Sequence, residues 1–193
     1  MKKIMFDDRF CLTNAVIDGT KTMTRRIIGE KIMKGAYDYV QKVHGTGLDM
    51  QAYLLEHSTY KAGEVVAIAQ KYDDVMPWER LYERTLEIDP YFPIECTGGI
   101  PGKRNKMFVK AEWMPFRIEI TGVRIERLQD ISDEDCIREG VFLGQFHTWS
   151  YVHRKRCPFN TPREAFAELI DRISKRGTWE KNPMVYVYSF KLK

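Results

Sequence analysis

Cysteine is sparse in this chain: Cys11, Cys96, Cys136 and Cys157 are scattered, and no two stand at CxxC spacing. That excludes a disulfide framework and a zinc-ribbon type of site, and it points to free thiols in a reducing compartment. His153 and Cys157 lie four apart, but two ligands do not make a metal centre. No metal and no cofactor is expected. Long apolar runs are also missing, and nothing approaches the ~20 residues that cross a bilayer. The start, "MKKIMFDDRF", carries two lysines without the apolar stretch of a secretion signal, so a cytoplasmic protein with no membrane association is expected. Repeats and low-complexity tracts are absent. Charge of one sign is not dominant either. A formal net charge of +4 over 193 residues permits an anionic partner without requiring one.

What remains is the composition of a globular domain, with 44% hydrophobic and 30% charged residues. The length fits one domain. "DDRFCLTNAVIDG" reads as a helix capped by Asp7 or Asp8 and ended by Gly19. "DMQAYLLEHS" suggests a short helix, and Val65 to Ala69 a buried strand. "MFVKAEW" reads as a strand, and "FRIEITGVRIERL" alternates as a longer one. "ISDEDCIREG" is a short helix with Ser132 as N-cap and Gly140 as terminator. "NTPREAFAELIDRISKRG" is a helix with Thr161 as cap and Pro162 in its first turn. "NPMVYVYSFKLK" alternates as a closing strand. Strands mixed with short helices, lacking a βαβ rhythm, predict an α+β domain on a mixed or barrel-like sheet.

The stretch "DGTKTMTRR", residues 18 to 26, contains G-x-K-x-x-T-x-R as Gly19, Lys21, Thr24 and Arg26. This resembles the signature of the ASCH domain, a member of the PUA-like superfamily. "GVRIERLQDISDEDCIREGV", residues 122 to 141, resembles the strand and acidic helix of longer, phage-type members. "WEKNPMVYVYSFK" resembles the family's closing strand, and "YKAGEVVAI" its strand opening, with Glu64 in place of the usual Asp. Together these cover about half of the chain. Segments at about 30–58 and 73–106 match nothing in the pattern and would be insertions into the single domain.

The resemblance implies a small mixed β-barrel with flanking short helices, and a cleft for RNA, a nucleotide or a modified base. Some compact members are amidohydrolases that remove acetyl from N4-acetylcytidine. By the motif, the catalytic roles would fall on Lys21, Thr24 and Glu139. The chemistry is coherent: a neutral lysine can take the proton of a threonine hydroxyl, and a carboxyl in apolar surroundings can protonate the departing amine. On a regular strand, residues three apart face opposite sides, so Lys21 and Thr24 converge only where the chain is irregular.

Gly19, Arg25 and Arg26 would shape and charge the wall of the cleft. Further basic clusters at Lys103, Arg104 and Lys106 and in "HRKR" at 153–156 would extend a polyanion footprint, with Arg154 among its ligands. Trp113, Trp149, Trp179, Tyr151 and Phe146 are candidate stackers, and "FHTWSY", which holds Trp149, is the leading base-contacting loop. Trp179 falls in the closing motif and is read as core. Three functions stand open: an RNA- or nucleobase-binding module, an amidohydrolase of N4-acylated cytidine, and an interaction domain without a ligand.

Overall fold

The computed structural model describes residues 1–75, 105–144, 147–151 and 159–193. The chain divides into two units, one of residues 1–6, 65–118 and 193, the other of residues 7–64 and 119–192.

In the first unit, strand β1 (Lys3–Ile4) pairs in parallel with β3 (Val65–Ile68). A short helix, α4 (Tyr72–Val75), follows β3. Its core gathers Ala67, Ala69, Tyr72, Val109, Ala111 and Met114. "MFVKAEW" is not a strand: residues 107–109 bend and Ala111–Trp113 form a 3-10 turn. Lys3 accounts for that path, since its ammonium donates to the carbonyls of Lys106, Met107 and Val109. Backbone groups that a ladder would have paired are satisfied by one side chain instead.

The second unit holds the motif. Asp7 caps a 3-10 turn, Asp8–Phe10, and Cys11 at φ +55° breaks it from helix α1 (Leu12–Ile17). The sequence reads these as one helix; the left-handed residue splits them. Gly19 at φ +76° turns the chain, a backbone conformation open to glycine at no steric cost. Strand β2 (Met23–Ile27) follows and pairs antiparallel with β7 (Met184–Leu192). Residues 30–58, which carry no family pattern, fold largely as two helices, α2 (Glu30–Val43) and α3 (Gly47–Glu56). Gly35 inside α2 makes room for Tyr53, whose hydroxyl would lie 2.6 Å from an added Cβ. Thr46 and Asp49 cap α3 reciprocally.

Strand β4 (Arg117–Arg127) passes through both units. It leads through a 3-10 turn into helix α5 (Asp133–Arg138), capped by Ser132 as its sequence predicts. Helix α6 (Pro162–Ile173) has Thr161 accepting from Glu164 N, also as predicted. It buries Ala165, Phe166, Leu169 and Ile170. Trp179, half-buried, packs edge-on against Phe166 at 6.2 Å.

The strands form one mixed sheet in the order β1-β3-β4-β7-β2. It is open among the described residues, not the barrel that the family resemblance implies. A two-residue β1 has neither the length nor the stagger that closure requires. The fold is therefore a mixed α+β arrangement with flanking helices. No helix among the described residues is long and apolar enough to cross a membrane.

Candidate functional site

Lys21 lies just ahead of β2, where the chain is held by three backbone bonds: Lys21 N to Ala15 O, Thr22 N to Arg138 O, and Phe190 N to Thr22 O. Its side chain is buried, and its ammonium donates to Glu139 at two points, the carbonyl and Oε2, both at 2.6 Å. Residues 118 apart in sequence thus meet as a buried ion pair. Gly140 follows Glu139 at φ +103°, a backbone conformation that favours glycine, and a Cβ there would touch Leu12 at 3.4 Å and Lys21 Cδ at 3.7 Å in ordinary van der Waals contact.

Arg25 joins the same group. Its Nη1 donates to Glu139 Oε1 at 3.1 Å and to Met23 Sδ at 3.4 Å. Its Nε and Nη2 reach Glu126 Oε1 at 2.9 and 2.6 Å, and Nη2 reaches Asp135 Oδ2 at 2.8 Å. All five guanidinium N–H groups are engaged. Arg124 bonds Glu126 Oε2 and Asp135 Oδ2 from the other side. Four cations, Lys21, Arg25, Arg124 and Arg138, face three carboxylates, Glu126, Asp135 and Glu139.

Burial sets the electrostatics. It disfavours charge on Lys21 and pulls its pKa below the ordinary lysine value; Glu139 opposes this, while Arg26 and Arg25 reinforce it. Burial alone would lower Arg25, but Glu139, Asp135 and Glu126 outweigh it and raise its pKa. Burial alone would raise Asp135, but Arg25 and Arg124 hold it below the usual carboxylate range. The Cys136 thiol on α5 is pushed up to about 12 by burial, which makes it inert as a nucleophile.

Thr24 and Arg26 belong to the other face of β2. Strand side chains alternate, so these two stand opposite the face of Met23 and Arg25. In register they oppose Tyr188 and Tyr186. Thr24 is buried, and its hydroxyl takes no part in the hydrogen bonds joining Lys21 to Glu139. Arg26 is half-buried, and its charge acts on Lys21, Tyr60 and Tyr188. Tyr60 packs edge-on against Tyr188 at 5.2 Å, and the Tyr186 hydroxyl donates to Leu54 O at 2.8 Å, fastening α3 over this face.

The remaining sequence candidates are dispersed. Trp149 is half-buried in a separate two-stranded sheet of β5 (Phe142–Leu143) and β6 (Trp149–Ser150), opposite Leu143 and bridged to Phe159. Trp113 is exposed beside Lys110. Lys106 donates to Phe6 O. Phe146, His153, Arg154 and the rest of the "HRKR" run, with Lys103 and Arg104, lie outside the described residues. Among the described residues no group of three or more His, Cys, Asp or Glu is arranged to hold a metal ion.

Sequence reasoning missed Glu126, Arg124 and the ionic role of Asp135. A signal existed: a buried arginine on a strand needs carboxylates, and Glu126 lies just before, and Asp135 within, the acidic helix tied to Lys21 by the motif. The sequence shows "YVYSF" only as part of an alternating closing strand.

No family model matches the chain, and no curated protein matches it. Among solved structures it resembles protein EF3133 from Enterococcus faecalis V583, described under the family designation DUF984, at 13% identity and a TM-score of 0.36. The likeness covers 94% of this chain, which spans 66% of the length of that one. Similarity at that level assigns neither a family nor an activity.

Proposed function

We propose that the protein recognises a nucleobase, carried by RNA or by a free modified nucleoside, at a site walled by residues 19–26. The observation behind this reading is the buried Lys21–Glu139 pair. It joins the two chain segments that the resemblance to ASCH proteins assigns to one cleft. A buried ion pair is weak evidence for stability, since desolvation offsets its Coulombic gain. Perturbed ionisable groups gathered this way are more characteristic of sites that handle ligands.

Titration calorimetry of the full chain with cytidine, N4-acetylcytidine and a short single-stranded RNA tests the reading. Binding that Lys21→Met and Glu139→Gln weaken, while melting curves show both variants folded, is the expected result. An RNA component that weakens steeply with salt would add phosphate contacts. Absence of binding to all three ligands overturns the proposal.

A second reading, hydrolysis of the N4-acyl amide, is favoured by one observation: burial depresses the Lys21 pKa beside a carboxylate. That makes a lysine base accessible below its ordinary range. In this reading a water attacks the acyl carbonyl, or Thr24 does and a water then cleaves the resulting acyl-threonine ester; Lys21 takes the nucleophile's proton, a proton reaches the departing N4 amine through Glu139, and the acid and cytidine leave. Release of cytidine from N4-acetylcytidine decides it.

A further inference from the structure

Arg25 spends every N–H it has inside the cluster, but the two arginines at the rim do not. Arg124 donates through Nε to Glu126 Oε2 at 2.9 Å and through Nη2 to Asp135 Oδ2, with Met23 Sδ further off at 3.9 Å. Arg138 donates through Nε to the Thr22 hydroxyl at 3.3 Å, and its Nη1 stands 3.6 Å from Asp135 Oδ1. Nη1 of Arg124 and Nη2 of Arg138 therefore have no protein acceptor among the described residues. Both side chains are close to half exposed, at 45% and 44%.

These are not two independent solvated cations. Asp135 meets one through each of its carboxylate oxygens, so a single small anion already spans both guanidiniums. Those contacts hold the two forks in place, which lowers the ordering cost of seating a second anion between them. Charge within the cluster does not cancel, because four cations face three carboxylates. Two of the four, Lys21 and Arg25, are buried behind the rim, where salt screens them least. Asp133 and Glu134, exposed on the first turn of α5, form no ion pair with either arginine. Thr22 stands between Lys21 and Thr24, so Arg138 is moored on the wall that the nucleobase reading assigns to the ligand.

We propose that Arg124 and Arg138 form a phosphate subsite at the rim of the ion cluster, and that the ligand is phosphorylated. The assignment rests on the nucleobase reading above and narrows it to a nucleotide, or to a nucleotide unit of RNA. Guanidinium N–H groups pair with phosphate oxygens by strong charge-assisted hydrogen bonds, and the two unspent Nη groups supply them.

The test is calorimetric binding of cytidine, cytidine 5′-monophosphate and the dinucleotide CpC, whose phosphate is a diester, alongside thermal melting. Wild type is expected to bind one or both phosphorylated ligands about tenfold more tightly than cytidine, the scale of one charge-assisted hydrogen bond. Preference for the monophosphate marks a free nucleotide, and preference for CpC alone marks an RNA backbone. Arg124→Gln and Arg138→Gln should each reduce the preference, and the double variant should abolish it. The preference is read within each variant, so a general loss of affinity does not mimic the effect. Should the double variant fail to fold, the single variants carry the comparison. Arg172→Gln, an exposed arginine paired with Glu168 on α6, removes the same charge elsewhere and should keep the preference. Equal wild-type affinity for all three ligands overturns the subsite and leaves the nucleobase reading intact. So does a preference that survives in folded rim variants, or one that Arg172→Gln loses equally. If wild type binds none of the three, the nucleobase reading fails and the subsite falls with it.

Discussion

Replacing Arg25 by Met removes one cation from a cluster in which its five N–H groups serve Glu126, Asp135, Glu139 and Met23. Lys21 stays on Glu139 Oε2, Arg124 on Glu126 Oε2 and Asp135 Oδ2, and Arg138 on Asp135 Oδ1, but Oε1 of Glu126 and Oε1 of Glu139 lose the donors that Arg25 supplies. Breaking a buried ionic group by deleting one partner costs about 3–5 kcal/mol. For a chain of this length, each kcal/mol moves the melting temperature by about 2–4 °C, so a drop of about 6–20 °C is expected. Circular dichroism melts at pH 7 measure it. The same variant carries a pH signature. A carboxyl whose folded pKa lies below its ordinary 3.8, as Asp135's does, contributes stability above that value and loses it as pH falls through the folded pKa. Without Arg25 the folded pKa of Asp135 rises and that contribution shrinks, so acid unfolding begins at a higher pH than in wild type. Arg25→Lys, which keeps the charge but not the fork, should fall between the two. A melting temperature within about 2 °C of wild type for Arg25→Met would refute the reasoning, because no buried ionic cluster of this kind is that indifferent.

Other outcomes follow from single positions. Gly140→Ala forces a side chain into a left-handed backbone against Leu12 and Lys21, and urea denaturation should show a loss above about 1 kcal/mol. Tyr186→Phe orphans the Leu54 carbonyl and should cost about 1–3 kcal/mol in the same assay. If the chain hydrolyses N4-acetylcytidine, the rate should rise with pH through an inflection below lysine's ordinary 10.5, and Lys21→Ala should abolish that inflection. In that assay Thr24→Ser retaining turnover while Thr24→Ala loses it would mark the hydroxyl as nucleophile. Equal rates in Thr24→Ala and wild type would exclude it.

Local signals in the sequence carried the second unit well. Ser132 and Thr161 cap the helices they precede, and the alternation of residues 116–128 and 182–193 gives β4 and β7. The prediction fails where a distant residue decides the path. Residues 107–113 have strand-like composition, but Lys3 takes their carbonyls and bends them away from a ladder. Helix α2 is not read from the sequence, and the glycine inside it is explained only by Tyr53 on the next helix. In the site, the Lys21–Glu139 pairing was legible through the motif, as was the irregular approach to β2. The partners of Arg25 were legible only as a general need of a buried arginine for carboxylates, since Glu126 is 101 residues away.

Arg25 and Arg26 are neighbours in the chain, yet they belong to different chemical compartments: one is sealed among carboxylates, the other stands with tyrosines. What separates them is only the parity of a strand. The tolerance of this segment to change should therefore be asymmetric. Substitutions in "KTMTRR" would have graded effects, one side chain at a time. A single residue inserted between Thr22 and Thr24 would exchange the two compartments at once, sending Thr24 to meet Glu139 and Arg25 into the tyrosine face.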